Sequence, residues 1–403
     1  KGRKRRLPIC QENDRKQRVN VSIKIKKALH KLKYGLFWAY TRTYKNVALD
    51  YQETSLSTYQ AETEIHSGIG YEIVPIDASS VARIGGKMWT GAHYVNGCLY
   101  GICNSAEGCL KFCLRTHELS IFGCLPKGEY KWTGGCIYKN RIYGFPRASN
   151  DLLIINPETE EVIGKSLGLS YTGEHHYGGV CTKQGTVFQP PRNEDHILRI
   201  DLNTLETKKI PCTPRHSRVR LRYAGALLHP NGLIYMMPEG KGRVMVLDPQ
   251  TDALWYIGSV IKASAYGAAV GIDGNIYGFN GHSDGILKID IRQNQAEIIC
   301  PEIGNPGCYG TKAGLNGRLY GIPGDGSCIW ELDVRTQKVK PIYEIAQQGN
   351  AKCAGGIVTE EGVIYSLPTS GSFIYQYVPQ PDPEFVHNGL SEDVYSEYYV
   401  DSY

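Results

Sequence analysis

The sequence contains no long apolar run. Nothing in it approaches the ~18 consecutive apolar residues that a membrane-crossing helix needs, and no secretory hydrophobic segment is visible. None of its 13 cysteines forms a C-x-x-C pair. The crowded set Cys98, Cys103, Cys109, Cys113 and Cys124 fits neither a zinc knuckle nor a disulfide framework. Free, mostly buried thiols in an intracellular reducing compartment are the expectation. A Walker loop, a G-x-S-x-G elbow, an H-E-x-x-H helix and a kinase signature are also missing. These absences lead to the expectation that the chain is not an enzyme and holds no catalytic residue, cofactor, metal or small-molecule substrate. Phenylalanine is scarce at 8 residues, whereas tyrosine reaches 28 and glycine 46. Abundant Gly with Tyr, Ile and Val favours many short strands joined by tight turns.

The charge is segregated. Residues 1–45 hold 15 Lys or Arg against 2 acids, a balance of +13, and residues 380–403 hold 6 acids and no Lys or Arg. That leaves −2 for the middle of a chain whose total is +5. Charge confined to the ends belongs to docking more than to folding. Residues 1–19 are a polar, basic arm. From Asn20 the apolar positions Val21, Ile25, Ala28, Leu29, Leu32, Leu36 and Ala39 follow helical spacing, with lysines between them. Residues 46–70 read as a polar connector, and residues 380–403 as an acidic, Tyr-rich tail.

Between these ends a unit repeats. A G-x-[IL]-Y-type strand recurs with its aromatic at Tyr100, Tyr143, Phe188, Tyr235, Tyr277, Tyr320 and Tyr365. The spacings are 43, 45, 47, 42, 43 and 45 residues. An aromatic-Gly segment precedes five of these strands, at Trp132, Tyr177, Tyr223, Tyr266 and Tyr309, as in Trp132-Thr-Gly-Gly and Tyr177-Gly-Gly. An apolar strand ending in Asp or Asn follows, as in Leu198-Arg-Ile-Asp201 and Trp330-Glu-Leu-Asp333. Thr stands three residues after Asn156, Asp201, Asp248 and Asp333, which is turn chemistry. A period of 40–50 residues with four strands per unit is the pattern of a β-propeller blade. The seventh copy lacks its fourth strand, and an unassigned strand at 71–77 precedes the first. The expected fold is therefore an all-β, seven-bladed propeller over residues 71–379, closed by its N-terminal strand. The Gly-Gly opening, the Ile-Tyr-Gly strand and the Ile-Asp-Pro/x-x-Thr turn resemble those of kelch-type and YVTN-type propellers. That resemblance implies architecture and leaves activity open.

Four constellations carry chemistry worth weighing. Glu174-His175-His176 with Asp195-His196 places imidazoles and carboxylates on one face of one blade, but without metal-ligand spacing, so solvated loops are expected. Asn280-Gly-His282-Ser-Asp284-Gly lacks the length and final Glu of a calcium loop and reads as a hairpin turn. Arg215, Arg218, Arg220 and Arg222 precede Tyr223, the last three alternating with apolar residues, and form a candidate patch for phosphate or carboxylate partners. The arm offers Lys1, Arg3, Lys4, Arg5, Arg6, Arg15, Lys16, Arg18, Lys24, Lys26, Lys27, Lys31 and Lys33 to a polyanion. Leu29, Leu32, Leu36, Phe37, Trp38 and Tyr40 would form its apolar interface.

These features lead to the expectation of a non-enzymatic scaffold within a large assembly. The favoured assembly is a ribonucleoprotein such as a mitochondrial ribosome, with the arm on RNA and other protein subunits around the ring. A peripheral subunit of a membrane-bound respiratory-type complex, its arm at a membrane surface, is the alternative. A third reading is a propeller enzyme or small-ligand binder using the top face. The matching compartment is mitochondrial, with cytoplasm or nucleus as alternatives.

Overall fold

The computed structural model describes residues 72–82, 86–212, 221–347 and 349–379. Seven antiparallel sheets follow one another along the chain, six of four strands and one of three. Each sheet is a blade, and they are numbered one to seven here from Trp89–Val95, the first strand of blade one. The final blade joins Cys353–Val358, Ile364–Pro368 and Phe373–Val378 to Glu72–Asp77, with Ile76 opposite Ile374. The ring is thus closed by the strand expected to close it. Closure removes the open sheet edge that would otherwise template association.

The recurring motifs turn out to be the packing and turn residues of the blades. All seven aromatics of the repeat are buried on second strands, each contributing about 1.5–3 kcal/mol of burial. Outer strands such as Glu161–Ser166 are largely exposed. Asn156, Asp201, Asp248, Asp290 and Asp333 each accept a bond on Oδ1 from the backbone N–H two residues on. Thr159, Thr204 and Thr251 do the same with Oγ1. This is the geometry of Asx and ST turns.

Blade four departs from the four-strand pattern. Ile234–Leu247 is one continuous run, because Glu239–Gly242, a loop in other blades, pairs with Ile261–Ser264. The described cysteines are all free: six are buried, five half-buried, and Cys124 is exposed. No helix among the described residues is long and apolar enough to cross a membrane.

Closure generates a prediction. Removing residues 1–71 should leave a single cooperative unfolding transition. Removing residues 1–77 also strips Phe373–Val378 of its partner, and should lower the melting temperature and cause concentration-dependent light scattering. Equal melting temperatures for the two truncations would contradict closure by this strand.

Candidate functional site

The innermost strands carry a bulge where they reach the axis. Their register against the second strand shifts between Trp89 and Ala92, Trp132 and Gly135, Tyr223 and Gly225, Cys308 and Thr311, and Cys353 and Gly356. A bulge re-aims one side chain out of the alternating pattern. The re-aimed position is Thr90, Thr133, Ala224, Tyr309 or Ala354, each directly before a glycine, and Tyr177 and Tyr266 precede the corresponding glycines of blades three and five, whose first strands pair over two residues. Tyr177, Ala224, Tyr266, Ala354 and Tyr309 pack together although they come from five blades, so they meet at the axis. Tyr266 lies 5.6 Å from Tyr177 and 5.1 Å from Tyr309 between ring centroids.

Polar side chains stand around this tyrosine floor. Second strands end on the same side, and the residue four positions after the core aromatic is Asn104, Arg147, Arg192, Glu239, Gly281, Gly324 or Thr369. Arg147 Nη2 lies 2.8 Å from Glu174 Oε2, and Arg192 Nε lies 3.0 Å from the same oxygen. Arg192 Nη1 is 2.8 Å from Glu239 Oε2, and Arg222 Nη2 is 3.4 Å from Glu239 Oε1. Both buried guanidiniums lie 4.7 Å from the centre of the Tyr177 ring, and that of Arg147 also covers Tyr130, an arrangement favourable to cations. Burial alone would raise the Glu174 carboxyl, but Arg147 and Arg192 hold it below its ordinary value. Burial opposes the Arg192 charge, and Glu239 outweighs it.

The Arg192 contacts are close but off the hydrogen-bond line. Its Nε and Nη1, with Glu239 Oε2, have no aligned partner. Charge therefore holds this guanidinium against Glu174 and Glu239. Thr369 Oγ1, at the matching position of blade seven, is likewise buried without a hydrogen-bond partner.

Lysines at this end divide into two kinds. Lys131 donates to the carbonyls of Ala106 and Pro126, and Lys352 to those of Gly324, Asp325, Gly326 and Gly349. These two clamp loops. Lys87 is exposed, and among the described residues no carboxylate lies within ion-pair distance of it. Partial burial, then the Arg147 charge, lower its ammonium below its ordinary value. On the other side of the mouth, Tyr309 donates to Asp325 Oδ2 at 2.7 Å and stands 3.2 Å from His282 Nε2. Burial and the Asp325 contact push the Tyr309 phenol well up. Tyr266 donates to Glu239 at 3.0 Å.

Several expectations need correction. His175 and His176 are not solvated loop residues but fully buried, and His196 is 5% exposed. Tyr171 stacks on His175 and meets His196 Nε2 at 2.6 Å. His175 Nε2 faces Ser149 O, His176 Nε2 faces His196 O, and the two Nδ1 atoms are 2.9 Å apart. Glu194, Asp195 and His196 bring three ligand atoms within 4.8 Å of one another, but both His196 nitrogens are already engaged, with Tyr171 and Asp195. His282 belongs to more than a hairpin, since it reaches Tyr309 and Asp325 of blade six. Of the arginine patch, Arg222 joins the mouth, and Arg215, Arg218 and Arg220 lie outside the described residues. So do the basic arm from Lys1 to Lys33, its apolar face from Leu29 to Tyr40, the connector and the tail. Lys87, Arg147, Arg192, Glu239 and Asp325 were not singled out in the sequence. The available signal was the residue just beyond the turn that ends each second strand, which changes from copy to copy.

No family model matches the chain, and no curated sequence matches it. Solved structures do. A streptogramin B lyase is 13% identical, covers 76% of this chain and 97% of its own, and has a TM-score of 0.61. The hydrazine synthase of Kuenenia stuttgartiensis is 10% identical, covers 75% and 98%, and scores 0.56. YCF48 bound to D1 peptide is 9% identical, covers 77% and 97%, and scores 0.55. At such identities the likeness shows the fold, a propeller. It also corrects the expectation that the chain is not an enzyme: this architecture serves a lyase and a synthase, so missing motifs do not argue against catalysis.

The buried histidines set a pH dependence. Burial pushes His175 down to about 4, and His176 well below its ordinary value. Below about 6.5, the ordinary value for histidine, the unfolded chain takes up protons that the folded chain refuses. The stability contributed by the neutral ring is complete above that pH and is lost as pH falls toward 4. His175 alone accounts for about 3 kcal/mol across this window. Melting temperature should therefore drop between pH 6.5 and 4, and His175→Gln should flatten that slope.

Proposed function

We propose that the axial mouth binds a small anionic molecule and that the chain is a propeller enzyme or ligand-binding protein working through this face. One observation carries the reading. Charged side chains of three blades, Arg147, Arg192 and Glu239, are held at the axial end beside Tyr177, both guanidiniums 4.7 Å from its ring centre, and Thr369 Oγ1 is buried without a hydrogen-bond partner at the matching position of blade seven. The tyrosine floor supplies an apolar, stacking surface, as ligand sites commonly do. Charge favours an anion. Lys87, Arg147, Arg192 and Arg222 stand against Glu174, Glu239 and Asp325, and among the described residues no carboxylate lies within ion-pair distance of Lys87.

Calorimetric titration of the full chain with inorganic phosphate and with mono- and dicarboxylates tests this. One-to-one, saturable, salt-sensitive binding is expected for at least one probe. Lys87→Gln should weaken it by about tenfold, the worth of one charge-assisted contact. Absence of binding across the series, or binding indifferent to Lys87→Gln and Arg192→Met, would sink the reading.

The charge of residues 1–45 supports a second and separate proposal, that the arm docks the ring on RNA within a ribonucleoprotein such as a mitochondrial ribosome. Binding of RNA to the full chain should then weaken with salt along a log–log slope of several units, and lose that slope when residues 1–45 are removed. Binding to anionic vesicles in place of RNA would favour the membrane-complex alternative.

A further inference from the structure

The mouth contains an acid–base group whose protonation can be read from its contacts. Tyr309 has one hydroxyl proton, and the Asp325 carboxylate at 2.7 Å can only accept it. The upward shift of the phenol keeps that proton in place. His282 Nε2, 3.2 Å from the same oxygen, must then be the donor in its contact with Tyr309. In the neutral ring this puts the proton on Nε2 and leaves a bare lone pair on Nδ1. That atom stands 3.7 Å from Asp325 Oδ2, and the His282 side chain is 47% exposed. The separation is too long for a hydrogen bond, so Nδ1 has no hydrogen-bond partner among the described residues. Tyr266 and Tyr309 meet the ring edge-on at 5.4 and 5.6 Å between centroids and fix its plane.

We propose that His282 is the general base of the mouth, its Nδ1 taking a proton from an acidic X–H group of a bound small molecule. The step is a proton transfer alone. The X–H bond breaks, its electron pair stays on X, and the proton forms the Nδ1–H bond. The charge left on X faces the cations of blades one to three, of which Lys87 already feels the Asp325 field. Tyr309 is a positioning residue, because it acts by holding Nε2. The class of reaction is abstraction of a proton from a hydroxyl or from a carbon acid whose anion the mouth can hold. The remaining charged groups near the ring are Glu239, reached through Tyr266, and Lys352, which is committed to carbonyls. The proposal rests on the mouth being a ligand site, and its test separates the two ideas.

A suitable probe is 4-nitrophenol, which is coloured as the phenolate and nearly colourless as the phenol. It is titrated into the full chain at a pH below its own pKa, with binding followed by calorimetry and ionisation by absorbance. Binding should generate the phenolate band. At saturating probe, His282→Gln should cut the bound phenolate fraction at least about tenfold, the effect of removing one matched proton acceptor. Tyr309→Phe at saturating probe should give an intermediate band, because the ring is then free to turn. Binding of the neutral phenol by the native chain, or a band unchanged in His282→Gln, overturns the base and leaves the mouth standing. Failure of this probe to bind overturns the base, and failure of phosphate and the carboxylates as well overturns the mouth.

Discussion

The close approach of the innermost strands around the axis sets everything else in this molecule. A Cβ on Gly91 would lie 2.8 Å from the Gly134 Cα, and Gly91 itself has φ +96°. Only glycine fits at such a distance and in that conformation. Gly310, at the equivalent position of blade six, also has a positive φ, +130°, and a Cβ there would stand in contact with Gly355 Cα at 3.5 Å. Glycine there lets seven sheets converge, and the bulge beside it turns the preceding side chain toward the axis. Closing the ring and building a floor of tyrosines are thus one structural event.

The division between scaffold and site follows from that. Positions that must satisfy the ring recur: the core aromatic and the axial glycine in every blade, and the Asx turn after the third strand in five. Positions that the ring leaves free differ, and they lie at the mouth. Arg147, Arg192, Glu239 and Thr369 occupy equivalent places in four blades, yet only together do they make a polar, partly unsatisfied rim. The buried ion pairs are weak evidence for stability, since desolvation offsets their attraction. Their value is that they hold charged groups fixed beside an apolar floor, the kind of preorganisation that ligand binding and catalysis use.

The architecture was legible in the sequence because it is periodic. Seven aromatics at a 44-residue spacing and an orphan strand at the N-terminal side specified both the blade count and the closure. The site was far less legible because it is aperiodic and drawn from loops all around the ring. His282 in isolation looks like a turn residue, and only the fold brings Tyr309 and Asp325 to it. His175 and His176 misled in the other direction, since their loop is folded inward under Tyr171 and sheltered from water. Arg222 was found, but as part of a strand-borne patch, not as the partner of Glu239. Lys87 carried no local signal, and its isolation from carboxylates exists only in three dimensions.

The central claim is that function resides where the blades disagree, at the axial mouth. The most direct measurement is crystallographic screening of the full chain against a library of small acids. The account predicts that bound molecules cluster over Tyr177, Tyr266 and Tyr309, between Lys87 and His282. Molecules bound on the outer strands or the opposite face, with none at the mouth, would contradict it.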